Sequence, residues 1–325
     1  MSLVRRRILI AALGSLLAPH QAAAQGAQRL RHVGILSLTR ERQSSWQIFE
    51  ETLRERGWRE GDNIAFAYQL AGSRREPLHV LAAELVEMPV DVIVADLGTP
   101  LVAARATKQI PIVMRMGLDA VEAGLIGNLG RPERNLTGLT GDVTAEIIGK
   151  RLELLREVAP TARSVAVLSS IFPGIEVWMK ELDRAARNLG FAVHVVRVKD
   201  AQGLAAAFEE IRAAADETLF CGGDPVTFPA RARITAFAMR EGLPAVYGPA
   251  EWAEAGGLVS YGVNIPELYR QTAGYVDKIL RGATPAELSV RRPTKYDLAV
   301  NLKTARALGI TVPQSILVRA DRLFD

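Results

Sequence analysis

The sequence contains one cysteine and four histidines in 325 residues, and this scarcity argues against several kinds of site. A single cysteine, Cys221, cannot form an internal disulfide, and no histidine lies at metal-ligand spacing from it. Cys221 ends the apolar run Thr218–Cys221, so we predict a small buried core residue and not a nucleophile. Three histidines, His32, His79 and His194, fall in or beside predicted strands and helices. The sequence therefore predicts no metal centre and no cofactor.

The glycine and serine signatures of common enzymes are also missing. The first predicted strand leads through Gly34–Thr39, which lacks the glycine spacing of a dinucleotide loop. There is no P-loop and no G-x-S-x-G nucleophile elbow. General acid–base catalysis would depend on Asp119 and Asp224 alone, so we expect a protein that is not an enzyme.

The N-terminus has the pattern of an export signal. Arg5, Arg6 and Arg7 precede the apolar run Ile8–Ala18, and the small residues Ala22–Ala24 follow. The apolar run is shorter than the about 20 residues of a membrane span, so we predict a signal peptide at residues 1–24 and no stable membrane insertion after cleavage. The three arginines are compatible with export by either the Sec pathway or the twin-arginine pathway. The expected location is the periplasm.

The positive charge belongs largely to this signal. The whole chain has a formal net charge of +4, and loss of three arginines lowers the basic residues from 40 to 37 against 36 acidic residues. The basic residues are spread among acidic ones, whereas a nucleic-acid surface concentrates them on one face. We therefore expect no nucleic-acid partner.

The remaining 301 residues exceed the size at which one hydrophobic core usually stops growing, so two domains are expected. Short apolar runs alternate with segments of helical period, which is typical of parallel strands joined by helices. The first half predicts strands at Val33–Leu38, Ile64–Gln69, Val92–Ala95 and Ile112–Met114. The second half repeats the plan at Val165–Leu168, Val193–Val198, Thr218–Cys221 and Ala245–Tyr247.

Turn residues repeat at matching places in the two halves. Gly57 and Gly190 each end the first helix of their half, where glycine can adopt the left-handed conformation that stops a helix. Pro111 and Pro244 each introduce the fourth strand. The sequence therefore predicts an α/β protein with two doubly wound, Rossmann-like lobes, and by analogy with other two-lobed folds we expect about three hinge strands to join them.

The predicted domain boundaries follow from the tail, which is too short to form a third domain. We assign residues 28–139 and about 262–284 to the first lobe. Residues 140–261 and about 285–325 are assigned to the second lobe.

In open parallel sheets, ligands bind beyond the C-terminal ends of the strands, where loops and helix N-termini present backbone N–H groups. Hydroxyls and amides there would receive a carboxylate, a carboxylate would pair with an ammonium, and aromatic rings would cover an apolar body. For Ser37, Thr39, Thr99 and Ser169, helix capping is an equal alternative. The candidate ligand-binding residues are Ser37, Thr39, Gly98, Thr99, Gly117, Asp119, Ser169, Ser170, Phe172, Asp224, Tyr247 and Tyr261.

Several stretches in order along the chain resemble the family of ABC transporter substrate-binding proteins that includes tryptophan and tyrosine receptors. They are Phe49–Asn63, Leu81–Val94, Ile110–Val113, Gly124–Gly138, Lys150–Pro160, Gly256–Gly262 and Asn301–Asp321. The resemblance implies the two-lobed type I periplasmic-binding-protein fold, ligand capture by lobe closure, and delivery to a membrane permease driven by an ATPase. The loop Arg115–Val121 departs from the family pattern, and Arg115 is a candidate for binding an acid.

The sequence therefore predicts a periplasmic solute-binding protein of an ABC uptake transporter. The expected solute is an amino acid or an aromatic acid, bound between the lobes as they hinge shut. Two alternatives stay open: a periplasmic sensor subunit that reports the ligand to a membrane kinase or scaffold, and an enzyme such as a racemase or hydrolase on the same scaffold.

Overall fold

A computed structural model describes residues 29–39, 44–72, 78–116, 119–121, 123–132, 134–141, 144–171 and 175–325. The predicted signal peptide and two candidate ligand-binding residues, Gly117 and Phe172, lie outside these ranges. The described residues form two α/β lobes, each built on its own sheet.

The first lobe is a five-stranded parallel sheet in the order β2-β1-β3-β4-β5. Its central strand β3 is buried along its whole length, as expected for a parallel sheet with helices on both faces. The elements in chain order are β1 (Arg31–Ser37), α1 (Ser44–Glu55), β2 (Ile64–Leu70), α2 (Leu78–Glu87), β3 (Val92–Asp96), α3 (Pro100–Ala106), β4 (Ile112–Met116) and β5 (Leu136–Thr140).

The second lobe begins with a helix and repeats the strand–helix alternation. Its elements are α4 (Ala145–Val158), β6 (Ser164–Ser170), α5 (Ile175–Asn188), β7 (Ala192–Val198), α6 (Leu204–Ala214), β8 (Leu219–Cys221), α7 (Arg231–Arg240), β9 (Ala245–Tyr247), α8 (Glu251–Glu254) and β10 (Val259–Val263). The predicted strands of both halves are confirmed within a few residues. The sequence analysis did not predict α4.

The tail contributes to both lobes. It comprises α9 (Ile265–Leu280), a 3-10 turn (Pro285–Glu287), β11 (Tyr296–Asn301), α10 (Leu302–Ala307), α11 (Gln314–Arg319) and β12 (Arg322–Phe324). Helix α9 packs on α1, where the indole N–H of Trp58 donates to Asp277 Oδ1 at 2.8 Å. Strands β11 and β12 extend the second sheet to the order β12-β11-β10-β9-β8-β6-β7, with β11 antiparallel to β10.

The chain crosses between the lobes three times, after β5, after β10 and before β11. Residues just past the 3-10 turn still contact the first lobe. Thr137 Oγ1 donates to the carbonyl of Leu288 at 2.8 Å, and Val290 is buried in that lobe's core. The lobe boundaries remain a proposal, and these contacts favour a final boundary near residue 293 over one near 285.

The predicted helix stops have the expected backbone conformation. Gly57 has φ of +95° and follows α1, and Gly190 has φ of +75° and follows α5, the helix after the first strand of each half. Since side chains other than glycine rarely adopt such angles, these two glycines explain locally why the helices end there. None of the helices in the described ranges combines the length and hydropathy that a transmembrane span requires.

His194 gives the second lobe a pH-dependent contact at the edge of its sheet. Its Nδ1 lies 2.6 Å from Asp216 Oδ2, and its Nε2 lies 3.4 Å from Glu210 Oε1. The hydrogen bond to Asp216 raises the pKa of His194 above its ordinary value of 6.5. The folded protein therefore holds the proton more tightly than the unfolded chain does, so this contact stabilises the fold most at acidic pH.

We expect the free energy of unfolding to fall as pH rises from about 6.5 through the higher pKa that His194 has in the folded protein. His194→Gln should flatten this part of the profile, measured by urea unfolding at a series of pH values. Asp216→Asn should flatten it too, because it removes the main partner of the imidazole. An unchanged slope in both variants would contradict the assignment.

Candidate functional site

A cavity of about 100 Å³ lies between the two lobes. The first lobe contributes Leu38, Thr39, Ser45, Leu97 and Arg115. The second contributes Arg151, Gly222, Gly223, Asp224, Pro225, Phe228, Pro229 and Pro249, and the tail with its preceding strand contributes Val263, Ile265 and Tyr269. Most of the first-lobe and second-lobe residues follow the C-terminal ends of strands, where α/β sheets bind ligands. The described lining is mainly apolar with a few polar groups, as in small-molecule sites.

Arg115 supplies the charged group of the first-lobe wall, and it is paired with the fully buried Asp96. Asp96 ends β3 and is paired in register with Arg115 on the parallel neighbour β4, so their side chains share one face. Arg115 Nη2 donates to Asp96 Oδ2 at 3.0 Å, and the two side chains are 9% and 0% exposed. Burial raises the pKa of Asp96, and the positive charge of Arg115 opposes that rise.

Tyr269 on α9 lies across the guanidinium of Arg115. The guanidinium carbon is 4.7 Å from the ring centroid, and Arg115 Nη2 is 3.3 Å from the phenol oxygen. Burial raises the pKa of Tyr269 to about 12, so the phenol is neutral. The indole of Trp46 meets the Tyr269 ring edge-on at 5.0 Å, which fixes the ring's orientation. The tail therefore helps to position a charged group of the first lobe.

Arg151 supplies the charged group of the second-lobe wall. Its side chain lies on the buried face of α4, and its Nε donates to the carbonyl of Tyr261 at 2.7 Å. A Cβ at Gly222 would lie 3.2 Å from Nη1, and one at Gly248 would lie 3.5 Å from Nη2. Two glycines therefore leave the room in which the guanidinium sits beside the cavity.

Asp224 faces the cavity, but backbone groups use both of its oxygens. Its Oδ2 accepts from the N–H of Ser170 at 2.8 Å. Its Oδ1 accepts from the N–H groups of Val226 at 2.8 Å and Thr227 at 2.9 Å. This is the hydrogen bonding of an Asx turn, here also tied to the end of β6. The carboxylate therefore holds the loop after β8 against the neighbouring strand.

Cys221 is fully buried at the end of β8, which confirms the prediction of a core residue. Burial, with a contribution from the negative charge of Asp224, raises the pKa of its thiol to about 12. Since the thiolate is the nucleophilic form, this thiol is inert. In the described part of the chain no His, Cys, Asp and Glu cluster could hold a metal ion.

Of the candidate ligand-binding residues, Thr39 and Asp224 line the cavity. The hydroxyls of two others are used inside the first lobe. Ser37 Oγ is 3.1 Å from Thr39 Oγ1, and Thr99 Oγ1 donates to the carbonyls of Leu36 at 2.9 Å and Asp96 at 2.8 Å. Thr99 makes no side-chain capping bond at the start of α3, so its hydroxyl stabilises the loop after β3 and does not cap the helix.

The other described candidates are not among the residues that line the cavity. The Cβ position of Gly98 faces Leu38, and Ser169 Oγ is 3.3 Å from the carbonyl of Ser170. Tyr247 points into the core of the second lobe, where it stacks on Trp252 at 4.9 Å. Tyr261 stacks on Tyr296 at 6.0 Å, and Asp119 forms an ion pair with Arg292. Their roles in ligand binding stay predictions.

Sequence reasoning missed Arg151, Tyr269 and the prolines of the second-lobe wall. A signal for Arg151 exists in the sequence. It follows Ile147 by four residues and Ile148 by three, and it precedes Leu155 by four, so it lies on the apolar face of the helix. An arginine there needs a buried polar partner or a ligand.

A family of known proteins matches most of the chain. The family described as ABC transporter substrate binding protein matches residues 41–324. The tyrosine-binding protein of Clostridioides difficile strain R20291 is 25% identical over 267 residues, which span 81% of this chain and 75% of that protein.

Two solved structures have a similar fold. A conserved domain protein from Vibrio cholerae matches with a TM-score of 0.82 at 26% identity, over 91% of this chain and 100% of that chain. The ABC domain of Streptococcus pneumoniae, solved in complex with L-Trp, matches with a TM-score of 0.81 at 21% identity over the same shares.

Proposed function

Because the chain belongs to the family of ABC transporter substrate-binding proteins, we propose that it captures a small organic solute, an amino acid or an aromatic acid, between its lobes. The observation that carries this proposal is the cavity, which residues of both lobes and of the tail line together. A solute bound there contacts both lobes at once, so it favours the closed arrangement by its differential affinity for that state.

The location and partners of the protein follow from the same proposal. The arginines and apolar run of residues 1–24 support export to the periplasm. The closed lobes would then present the solute to a membrane permease driven by an ATPase, as the family description implies. The match to the tyrosine-binding protein supports an amino acid or a related aromatic compound as the solute.

We propose binding without catalysis. The cavity carboxylate of Asp224 accepts three backbone N–H groups, and the thiol of Cys221 is buried behind it. Neither group is placed to exchange a proton with a solute, which general acid–base catalysis requires. A bound solute should therefore be recovered chemically unchanged after prolonged incubation, which mass spectrometry of the released solute would check.

Thermal unfolding of residues 25–325 against a panel of amino acids, aromatic acids, sugars and polyols tests the proposal. A solute at about 100 times its dissociation constant should add about 2.7 kcal/mol to the free energy of unfolding. The protein is first unfolded and refolded under dialysis so that it carries no solute from the cell. If no small organic solute in the panel raises the melting temperature, the proposed function is wrong.

A further inference from the structure

The two guanidinium groups that line the cavity belong to different lobes. Arg115 lies on β4 of the first lobe, and Arg151 lies on α4 of the second. Both are almost fully buried, at 8% and 2% exposure. An arginine is charged at every physiological pH, and its planar fork of N–H donors matches a carboxylate. Two cationic groups therefore approach one small cavity from opposite walls.

Resting on the proposed function, we propose that Arg115 and Arg151 form a carboxylate subsite, so that the solute is an organic carboxylate whose acid group is required and whose amino group is dispensable.

The charges along the described lining support an anionic solute. Three charged side chains line the cavity there: Arg115, Arg151 and Asp224. The only carboxylate among them, Asp224, already accepts hydrogen bonds from Ser170, Val226 and Thr227 and is held within a turn. A substrate ammonium would have to compete for it with these backbone donors. A substrate carboxylate instead meets donors that suit it on both walls.

The rest of the lining suits a compact apolar body. Leu38 and Leu97 face it from the first lobe, Phe228 from the second, and Val263 and Ile265 from the crossing between them. The cavity volume of about 100 Å³ is of the same order as the about 150 Å³ apolar cavity that accommodates benzene. These dimensions favour one ring or one branched chain over a peptide or an oligosaccharide.

The arrangement also links solute charge to lobe closure. Bringing two guanidinium groups toward one cavity of low dielectric is unfavourable, because like charges repel more strongly there than in water. A carboxylate between them turns that repulsion into two attractions. Asp96 offsets part of the charge of Arg115 and so weakens this repulsion, but an anion held by both arginines still favours closure, which gives the solute the differential affinity that a closing receptor needs.

The test uses solute-free protein, residues 25–325, and four matched trios titrated by calorimetry. Each trio shares one apolar body and differs in its polar groups: the amino acid, the acid without the amino group, and the amine without the acid. The bodies are those of phenylalanine, tyrosine, tryptophan and leucine. Within a trio that binds, we expect the acid to match the amino acid within about 10-fold and the amine to bind at least about 100-fold more weakly.

Four outcomes overturn the carboxylate subsite. An amino acid that binds at least about 100-fold more tightly than its deaminated acid shows that the ammonium is recognised. An amine that binds as well as its acid shows that the carboxylate is not. Binding of a neutral sugar or polyol, with no response to any trio, refutes the subsite but leaves the receptor function intact. If no compound of the whole panel binds, both the carboxylate subsite and the receptor function are refuted.

Two variants locate the subsite within the cavity. Arg151→Gln should weaken binding of the acid by about 10- to 100-fold, the usual cost of losing a charged hydrogen bond, and Arg151→Lys should recover part of it. Lys150→Gln, on the next residue of α4, removes an exposed charge paired with Glu153 at 3.0 Å and should leave the affinity unchanged. Equal affinities in folded Arg151→Gln and wild-type protein would refute the role of Arg151.

Discussion

The variant Asp96→Asn is expected to lose about 3–5 kcal/mol of unfolding free energy, because it removes the carboxylate from a buried ion pair and keeps its shape. Asp96 is fully buried, and its Oδ2 lies 3.0 Å from Arg115 Nη2. Urea unfolding near neutral pH measures the loss. Binding of the solute should weaken as well, since Asp96 orients the guanidinium that faces the cavity.

Two further variants separate charge from packing. In Asp96→Ala/Arg115→Met both charges are replaced by apolar groups, so most of the lost stability should return while the affinity for a carboxylate does not. Glu181→Gln removes one partner of an exposed pair with Arg184 and should cost about 0.5 kcal/mol or less. A loss below about 1 kcal/mol in Asp96→Asn would mean that burial keeps the Asp96 carboxyl neutral in the folded protein.

The fold was predictable because its signals are local. The alternation of apolar runs and helical periods depends on residues a few positions apart, and the glycines that stop helices act on their own turn. Gly57 and Gly190 therefore indicated matching helix ends in both halves, and both have positive φ. Helix α4 was not predicted, although its apolar residues recur at helical spacing from Ile147 to Val158.

The site was harder to predict because its contacts are distant in sequence. Tyr269 reaches Arg115 across 154 positions, and no local pattern connects a helix in the tail with the fourth strand. The predicted strand ends identified the loops that border the cavity, but they did not indicate which side chains of those loops face it. Tyr247 ends β9, yet its ring turns to the side of the sheet that Trp252 covers. Since successive strand residues face opposite sides, a shift of one position exchanges cavity and core.

The cavity of this protein depends on close backbone packing as much as on its side chains. Gly222, which lines the cavity, follows β8, and Gly248 follows β9, so two glycines meet where these neighbouring strands end. Their lack of side chains admits the guanidinium of Arg151 to the cavity wall. Glycine at these positions therefore serves the binding site by leaving room for the Arg151 side chain, and not by making a contact of its own.

Gly248→Ala is accordingly expected to lower the free energy of unfolding by about 3 kcal/mol or more, the upper end of the usual cost of overpacking. A Cβ at residue 248 would lie 2.0 Å from the carbonyl oxygen of Gly222, a backbone atom that cannot rotate away. The two strand ends would have to separate, which would displace Gly222 from the cavity wall and Arg151 from its place beside it. Solute affinity should therefore fall together with stability.

Gly149→Ala is the matched control for this change. Gly149 lies inside α4, two residues before Arg151, and nothing lies within 4 Å of the Cβ that alanine would add. This substitution should raise the free energy of unfolding by about 0.5–1 kcal/mol, since alanine favours the helix, and should leave affinity unchanged. Thermal unfolding and calorimetry on both variants measure the contrast. A Gly248→Ala protein with wild-type stability and affinity would show that the loops after β8 and β9 are not packed this closely.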